Sequence, residues 1–365
     1  MSEKSKDTEI KDVRDVMDEQ PKPRNKGWWW RIPFLLLLMV GTVLIIRHHS
    51  SKPDAGKAKT AKAYTEWQEN EGMVFGTIYH IKYLCDNDLQ KEYEAALDSV
   101  NNSLSMFNEH STLRHINDNT DMHTDSMLCV VFSLAQKVSK ATDGAFDVTV
   151  APLVNAWGFG YKNNALPTEH EVDSLRSLVG YERVSIENGL MKKADPRMVM
   201  DFSAIAKGFG CDVVADVLRR HGVENFMVEI GGEVVVQGKN SKGEAWRVGV
   251  NKPVDDPTST STELEDVLEL TNCAMATSGN YRNFYTTEDG RRIAHTIDPH
   301  TGYPVQHTIL SATVLAPTCA EADAFATSFM VMGLEAAKEV LKKQTQLKVF
   351  LIYAVGEENK VYRTV

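Results

Sequence analysis

The chain has 365 residues, of which 42% are hydrophobic and 25% charged, an ordinary composition for a folded protein of one or two domains. Its formal net charge of −10 argues against nucleic acid as a main partner, because binding a phosphate backbone requires a basic surface. An acidic protein that binds a phosphate group needs local help from a metal ion, placed cations or backbone N–H groups.

The cysteines are few and scattered, and they form no CxxC or CxxH pair. This spacing argues against a structural zinc site and against a disulfide scaffold. We interpret them as small buried hydrophobic residues, with one disulfide left open if the protein folds outside the cytoplasm. The cysteines are Cys85, Cys129, Cys211, Cys273 and Cys319.

The N-terminal part of the chain predicts a membrane anchor. Residues 1–27 are polar and of mixed charge, which is typical of a disordered tail. Residues 28–47 begin with three tryptophans and include an uncharged run from Ile32 to Ile46, close to the roughly 20 residues of a transmembrane helix. Basic residues precede this run, so we expect the tail in the cytoplasm and the main body outside it. Residues 48–63 predict a short linker.

A cleaved signal peptide is the alternative for this segment. Its polar leader would be unusually long, and no small-residue cleavage site follows the apolar run closely. A buried soluble helix fits less well, because the segment is apolar on all sides rather than along one stripe.

From residue 64 to residue 365, strands and helices follow each other without a βαβ rhythm, which predicts an α+β domain. The predicted strands are Phe75–Tyr83, Glu182–Ile186, Met198–Phe202, Phe226–Val236, Trp246–Val250, His307–Leu315 and Val349–Tyr353. The predicted helices are Leu89–Leu104, Ser126–Thr142, Ala204–Arg220, Ala320–Met332 and Glu335–Lys343. A surface loop is predicted over Lys252–Thr262.

The segment Asp201–Gly208 lies where a strand is predicted to enter a helix. A helix N-terminus offers free N–H groups and a positive potential to a phosphate, and Lys207 adds a point charge. Asp201 is placed to accept hydrogen bonds from a ribose or a ring. The alternative is an ordinary strand-to-helix turn with a surface lysine.

The segment Ala316–Thr327 predicts a well-defined helix start, because Thr318 and Glu321 have the spacing of a capping box. Asp323 and Thr327 are four residues apart and share one helix face. A carboxylate and a hydroxyl beside small alanines suit a hard cation such as Mg²⁺. The alternative is a buried aspartate bonded to a nearby backbone group.

Three further segments carry weaker signals. His295 begins the segment His295–Gly302, where an imidazole at a strand end is suited to accept a proton, unless it is a surface histidine in a turn. The glycines of Glu229–Glu233 form either an anion-binding nest or a bulge. Thr142–Gly160 is rich in glycine and aromatic residues that stack on a flat ring or simply pack in a core.

These segments, preceded by Phe75–Thr77 and Leu104–Ser111, follow one another in an order that resembles the FAD:protein FMN transferase family, the ApbE family. The resemblance runs from about Met73 to the C-terminus. It implies a two-lobed, ApbE-like α+β catalytic domain with FAD, its substrate, bound between the lobes and Mg²⁺ at the pyrophosphate. A Thr or Ser hydroxyl of an acceptor protein would attack the FMN phosphorus, and AMP would leave.

The resemblance also implies roles for individual residues. Asp323, Thr327 and the backbone of Ala204 would hold the metal, and His295 would activate the acceptor hydroxyl. The residues implied at the flavin nucleotide are Phe75, Phe107, Ala145, Phe146, Asp147, Asp201, Lys207 and Ile297.

This sequence departs from the family pattern at two aromatic positions. Phe75 stands where the family usually has Met, and Phe107 where it more often has Tyr or Trp. A hydrolase that passes FMN to water, and a flavin-binding protein without catalysis, are the alternative functions. We expect no self-flavinylation, because the chain carries no copy of the acceptor motif.

The family's acceptors carry a short Ser/Thr motif and include subunits of electron-transfer complexes. With the predicted anchor, the resemblance implies a protein of the bacterial inner membrane whose catalytic domain lies on the periplasmic side.

Overall fold

The computed structural model describes residues 64–160, 166–254, 263–280, 284–287, 290, 292–306, 308–356 and 358–365. These residues belong to one compact unit, Ala63–Val365. The predicted tail, anchor and linker of residues 1–63 lie outside the described residues, as does most of the predicted loop at 252–262. Within the described ranges, no helix combines the length and apolar character needed to cross a membrane.

Strands and helices alternate irregularly along the chain. The strands are β1 (Trp67–Val74), β2 (Thr77–Leu84), β3 (Val184–Glu187), β4 (Leu190–Lys193), β5 (Phe226–Ile230), β6 (Glu233–Gln237), β7 (Trp246–Asn251), β8 (Leu264–Leu270), β9 (Cys273–Gly279), β10 (Phe284–Thr286), β11 (Arg292–Ala294), β12 (Ile309–Ala316), β13 (Lys348–Val355) and β14 (Glu358–Arg363). The α-helices are α1 (Gln90–Leu104), α2 (Thr112–Asn117), α3 (Ser126–Ala141), α4 (Ala151–Ala156), α5 (Glu169–Arg176), α6 (Ser203–Arg220) and α7 (Cys319–Lys343).

The main sheet, in the described part of the chain, has eight strands in the order β1-β2-β5-β6-β9-β12-β13-β14. Every neighbouring pair in it is antiparallel. Three two-stranded hairpins, β3–β4, β7–β8 and β10–β11, lie outside it. Mixed helices and antiparallel strands match the predicted α+β class.

Both faces of the sheet are covered, and β13 shows this directly. Val349 and Leu351 join the core formed with α3 and α7, whereas Phe350 and Ile352 join a second core with the β7–β8 hairpin. Alternate residues of a strand point to opposite faces, so an apolar run without alternation is expected where both faces are buried.

Helices α6 and α7 cross at very short range. A Cβ added at Gly208 would lie 2.4 Å from the carbonyl oxygen of Cys319, so only glycine allows this approach. The carboxylate of Asp212 on α6 accepts hydrogen bonds from the N–H groups of Cys319 (2.8 Å) and Ala320 (2.9 Å). It therefore caps the first turn of α7, and burial raises its pKa to about 6.

Two predicted strands are wrong. Met198–Phe202 is irregular, because the side-chain amide of Asn117 bonds both backbone groups of Met200, at 2.8 and 2.9 Å, in place of a strand partner. Phe226–Val236 is a hairpin of two strands, since Gly231 and Gly232 both have positive φ and turn the chain sharply.

Several shorter or edge elements were not predicted: strands β1, β4, β8, β9, β10, β11 and β14 and helices α2, α4 and α5. The predicted strand at Glu182–Ile186 begins as a 3₁₀ turn, Tyr181–Arg183, before β3. The predicted stop at Gly333 is confirmed as a break inside α7, where Gly333 has φ 77° and ψ 172°.

Candidate functional site

A cavity of about 650 Å³ opens between the β1–β2 turn, the end of α1 and the start of α6. Phe75, Phe107 and Lys207, three of the predicted nucleotide-binding residues, line its wall. The turn that carries Phe75 is tight, because Phe75 and Gly76 both have positive φ. The other lining residues are Met73, Val74, Gly76, Asp98, Val100, Asn101, Leu104, Ser105, Met106, Ser203 and Ala206.

The predicted Asp201–Gly208 motif forms the start of α6. The Asp201 carboxylate accepts hydrogen bonds from the Ser203 backbone N–H (2.8 Å) and hydroxyl (2.5 Å), so it satisfies the N–H of the first residue of α6, whose N-cap position is Phe202. Burial raises the pKa of Asp201. Ser203, Ala206 and Lys207 of the first turns line the cavity, which places the positive end of the helix dipole at its wall.

Lys207 lies between two buried carboxylates. Its Nζ is 2.6 Å from Glu233 Oε1 and 4.0 Å from Asp323 Oδ2, and both acidic side chains are only 4% exposed. Burial disfavours the ammonium charge, but Asp323 and Glu233 outweigh that cost and raise the pKa of Lys207. Burial raises the pKa of Glu233 to about 7 against the opposing effect of Lys207.

Asp323 is held by α6 as well as by its own helix. Its Oδ2 accepts a hydrogen bond from the Gly208 backbone N–H at 3.1 Å. One turn further along α7, the Thr327 hydroxyl is 3.1 Å from the hydroxyl of Ser278 on β9. The expected shared face of Asp323 and Thr327 therefore adjoins the end of β9.

These residues fit a hard divalent cation. Two buried carboxylates lie beside one ammonium, and the hydroxyls of Thr327 and Ser278 are oxygen donors of the kind Mg²⁺ accepts. No cluster of three or more His, Cys, Asp or Glu side chains among the described residues is suited to hold a metal. A cation here would thus need oxygens from hydroxyls, backbone or a ligand as well.

The start of α7 is capped as predicted, but only in part. The Thr318 hydroxyl accepts a hydrogen bond from the Glu321 N–H at 3.3 Å. The Glu321 carboxylate accepts instead from the Gln346 amide at 3.1 Å. Tertiary packing has therefore replaced the reciprocal half of the capping box.

His295 directly follows β11, at the strand end where it was expected, and its ring lies 6.3 Å from the Phe159 ring. The next residue, Thr296, donates a hydrogen bond to the side chain of Asn280 at 2.6 Å. Asn280 follows β9, the strand that carries Ser278. The residue next to His295 is thus bonded to Asn280, beside the end of β9 that Thr327 contacts.

The loop after His295 is organised by Asp298. Its carboxylate accepts from the His300 backbone N–H (2.9 Å) and the Thr301 hydroxyl (2.9 Å), the Asx-type bonds expected of a turn. Ile297 is buried and pairs through its backbone with Pro304. Ile297, whose backbone was expected at the flavin nucleotide, is not among the residues that line the cavity.

The segment around Ala145, Phe146 and Asp147 is buried away from the cavity wall. Asp147 accepts hydrogen bonds from the Thr149 N–H (2.7 Å) and hydroxyl (2.6 Å) and from the Tyr181 N–H (2.9 Å). Burial raises the pKa of Asp147. In this structure its carboxylate orders the loop, and core packing accounts for Phe146.

Trp157 and Ala204 also lie apart from the cavity lining. The Trp157 indole donates to the carbonyl of Gly302 at 2.8 Å, which braces the loop after His295. Ala204 packs against the main core from the first turn of α6.

Glu233 and Ser278 were not predicted as site residues. Glu233 carried a usable signal, because a carboxylate directly after the Gly231-Gly232 turn begins a strand buried on every side. Ser278 carried none, since only the pairing of β9 with β12 and its contact with α7 bring it to Thr327.

The ApbE family profile matches residues 75–351. An FAD:protein FMN transferase of Haemophilus influenzae is 41% identical over 298 residues, covering 77% of this chain and 85% of that protein. The FAD:protein FMN transferase of Vibrio cholerae is 38% identical over 302 residues, covering 80% and 89%.

The solved structure of the flavin transferase ApbE from Vibrio cholerae superposes with a TM-score of 0.74 at 37% identity. The superposition covers 82% of this chain and 97% of the Vibrio cholerae chain. The profile, the relatives and the solved structure each match most of this chain, and the chain therefore belongs to the ApbE family of flavin transferases.

Proposed function

We propose that this protein transfers the FMN half of FAD to a Thr or Ser hydroxyl of an acceptor protein, with Mg²⁺ and with release of AMP. The observation that carries the proposal is the group formed by Lys207 with the buried carboxylates of Glu233 and Asp323 beside the 650 Å³ cavity. Such a group supplies placed charge at the edge of a pocket of nucleotide size, which phosphoryl-type transfer requires.

The roles follow from position and charge. Lys207 and the start of α6 would meet the anionic phosphates of FAD, while Phe75 and Phe107 give the cavity apolar walls for a flat ring. Asp323, Thr327 and the backbone of Ala204 would hold Mg²⁺, which would neutralise charge on the pyrophosphate when bound.

The transfer would form one bond and break one. The acceptor oxygen bonds the FMN phosphorus, and the bridging pyrophosphate oxygen leaves with AMP. The hydroxyl proton would pass to His295, whose imidazole is suited to accept it near neutral pH. The Phe159 ring lies beside this imidazole, with 6.3 Å between the ring centroids.

We also propose that residues 28–47 anchor the chain in the bacterial inner membrane, with the catalytic domain on the periplasmic side. Exported electron-transfer subunits with a Ser/Thr flavinylation motif would then be the acceptors. The uncharged run from Ile32 to Ile46, preceded by basic residues, supports this placement.

The test is to incubate the purified protein with FAD, Mg²⁺ and an acceptor domain that contains a target threonine. Intact mass and in-gel flavin fluorescence then follow the acceptor. We expect a mass gain that matches FMN and that disappears with a chelator. Release of FMN and AMP without labelled acceptor would support a hydrolase instead, and FAD that stays bound but uncut would support a binding protein.

A further inference from the structure

Lys207 has two candidate anionic partners, and it is much closer to one of them. Its Nζ makes a direct ion pair with Glu233 Oε1 at 2.6 Å but stays 4.0 Å from Asp323 Oδ2. The Asp323 oxygen is engaged by the Gly208 N–H at 3.1 Å instead. The ammonium is therefore held to one side of the carboxylate that the proposed function assigns to Mg²⁺.

Glu233 has strong physical reasons to keep its pairing with Lys207. Its side chain is almost completely buried, and Oε2 has no hydrogen-bond partner in the described residues. A buried carboxylate without a counter-charge is strongly destabilising. Lys207 is the cation within ion-pair distance of Glu233 in this part of the chain.

Hydrogen bonds fix the backbone around Glu233, so its carboxylate offers the Lys207 ammonium a partner at a defined position. Glu233 begins β6 directly after the Gly231-Gly232 turn, and the Glu229 carboxylate accepts the Gly232 N–H at 2.6 Å. The Glu233 carbonyl in turn accepts a hydrogen bond from the Cys211 thiol at 3.3 Å.

We propose that Glu233 is a positioning residue that holds Lys207 away from Asp323 and so keeps the Asp323 carboxylate open to the divalent cation. This inference rests on the proposed function, because it assumes that Asp323 binds the metal. Without the Glu233 charge, the nearest described anion to the ammonium is Asp323, and a direct Lys207–Asp323 pair would compete with the cation for the same oxygens.

The experiment measures Mn²⁺ alone, without FAD, by the loss of the free-ion electron paramagnetic resonance signal on titration of the full chain. We expect Glu233→Gln to weaken Mn²⁺ binding by about tenfold or more, the range typical of groups that position metal ligands. Glu233→Gln combined with Lys207→Met removes the competing ammonium and is expected to restore the affinity. Glu71→Gln, which removes an 80% exposed carboxylate, is the matched charge control and should bind as the wild type does.

A crystal structure of the Glu233→Gln variant separates positioning from a simple loss of charge. We expect Lys207 Nζ to close on Asp323 Oδ2 to direct hydrogen-bond distance. An ammonium that stays apart from Asp323, unchanged Mn²⁺ affinity in Glu233→Gln, or a double variant as weak as the single one would each overturn the inference.

These outcomes are distinct from a failure of the proposed function. A wild-type chain that binds Mn²⁺ and labels the acceptor, with Glu233→Gln unaffected, refutes the positioning role alone. A wild-type chain that binds no Mn²⁺, either alone or with FAD present, refutes both the role of Asp323 as metal ligand and this inference.

Discussion

Gly208→Ala tests how α6 and α7 are brought together at the site. The added Cβ would lie 2.4 Å from the Cys319 carbonyl oxygen, whereas ordinary contact begins at 3.4 Å, so the helices must separate by 1.0 Å. The obstacle is backbone, which cannot rotate away as a side chain can. The same movement lengthens the 3.1 Å hydrogen bond from the Gly208 N–H to Asp323.

The expected cost is the balance of two effects. Overpacking a close contact lowers the free energy of unfolding by about 1–3 kcal/mol. We expect a forced separation of two helices to lie at the upper end of this range. Alanine is favoured over glycine inside a helix by about 1 kcal/mol, which offsets part of this cost. A net loss of about 1–2 kcal/mol remains, and at roughly 2–4 °C per kcal/mol the melting temperature should fall by about 2–8 °C.

The assay is thermal unfolding by calorimetry, together with acceptor labelling over a range of FAD concentrations. Gly210→Ala is the matched control on the same helix, because its Cβ would meet the Phe75 ring, at 2.6 Å, rather than backbone. That variant should lose less stability but raise the KM for FAD, since Phe75 lines the cavity. A Gly208→Ala variant as stable as the wild type would refute the argument that glycine is required at this crossing.

Further predictions concern the site and its supports. Asp323→Asn should lower transfer by at least about 100-fold and abolish its response to added Mg²⁺, and unchanged transfer would exclude the metal role. His295→Asn should lower kcat by about 100-fold with little change in FAD affinity measured by flavin fluorescence; a KM effect alone would assign His295 to binding. Asp212 has a folded-state pKa of about 6, above the ordinary 3.8, so the folded state binds this proton more tightly and stability falls as pH rises from about 4 to about 6. In denaturant titrations, the free energy of unfolding of Asp212→Asn should change less with pH over this interval than that of the wild type. An unchanged pH dependence would contradict the raised pKa of Asp212. Thr318→Ala should cost about 1 kcal/mol through loss of the α7 cap, and chemical denaturation that finds no loss would show that Asp212 suffices.

The family and the ends of the long helices were accessible from sequence because their signals are local. The cap residue Thr318 and the break at Gly333 act within one turn of their own helix, and both appear where expected. The order of short motifs from Phe75 to Thr327 likewise needs no knowledge of contacts.

Local patterns failed where a distant residue took over backbone hydrogen bonding. Met198–Phe202 has the composition of a strand, yet Asn117 bonds the backbone of Met200 from α2. Asp212 similarly caps α7 from another helix. Propensity describes what a segment prefers alone, and tertiary partners override it.

The sequence by itself determined the α+β class and the helix boundaries of α6 and α7. Of the residues that the family resemblance implied at the nucleotide, Phe75, Phe107 and Lys207 line the cavity. Only the tertiary structure decided that Lys207, Glu233 and Asp323 meet, because they come from α6, β6 and α7. The periodicity of one segment does not specify which charged side chains of other segments become its neighbours. Those contacts depend on the order of strands in the sheet and on the close crossing of two helices at Gly208.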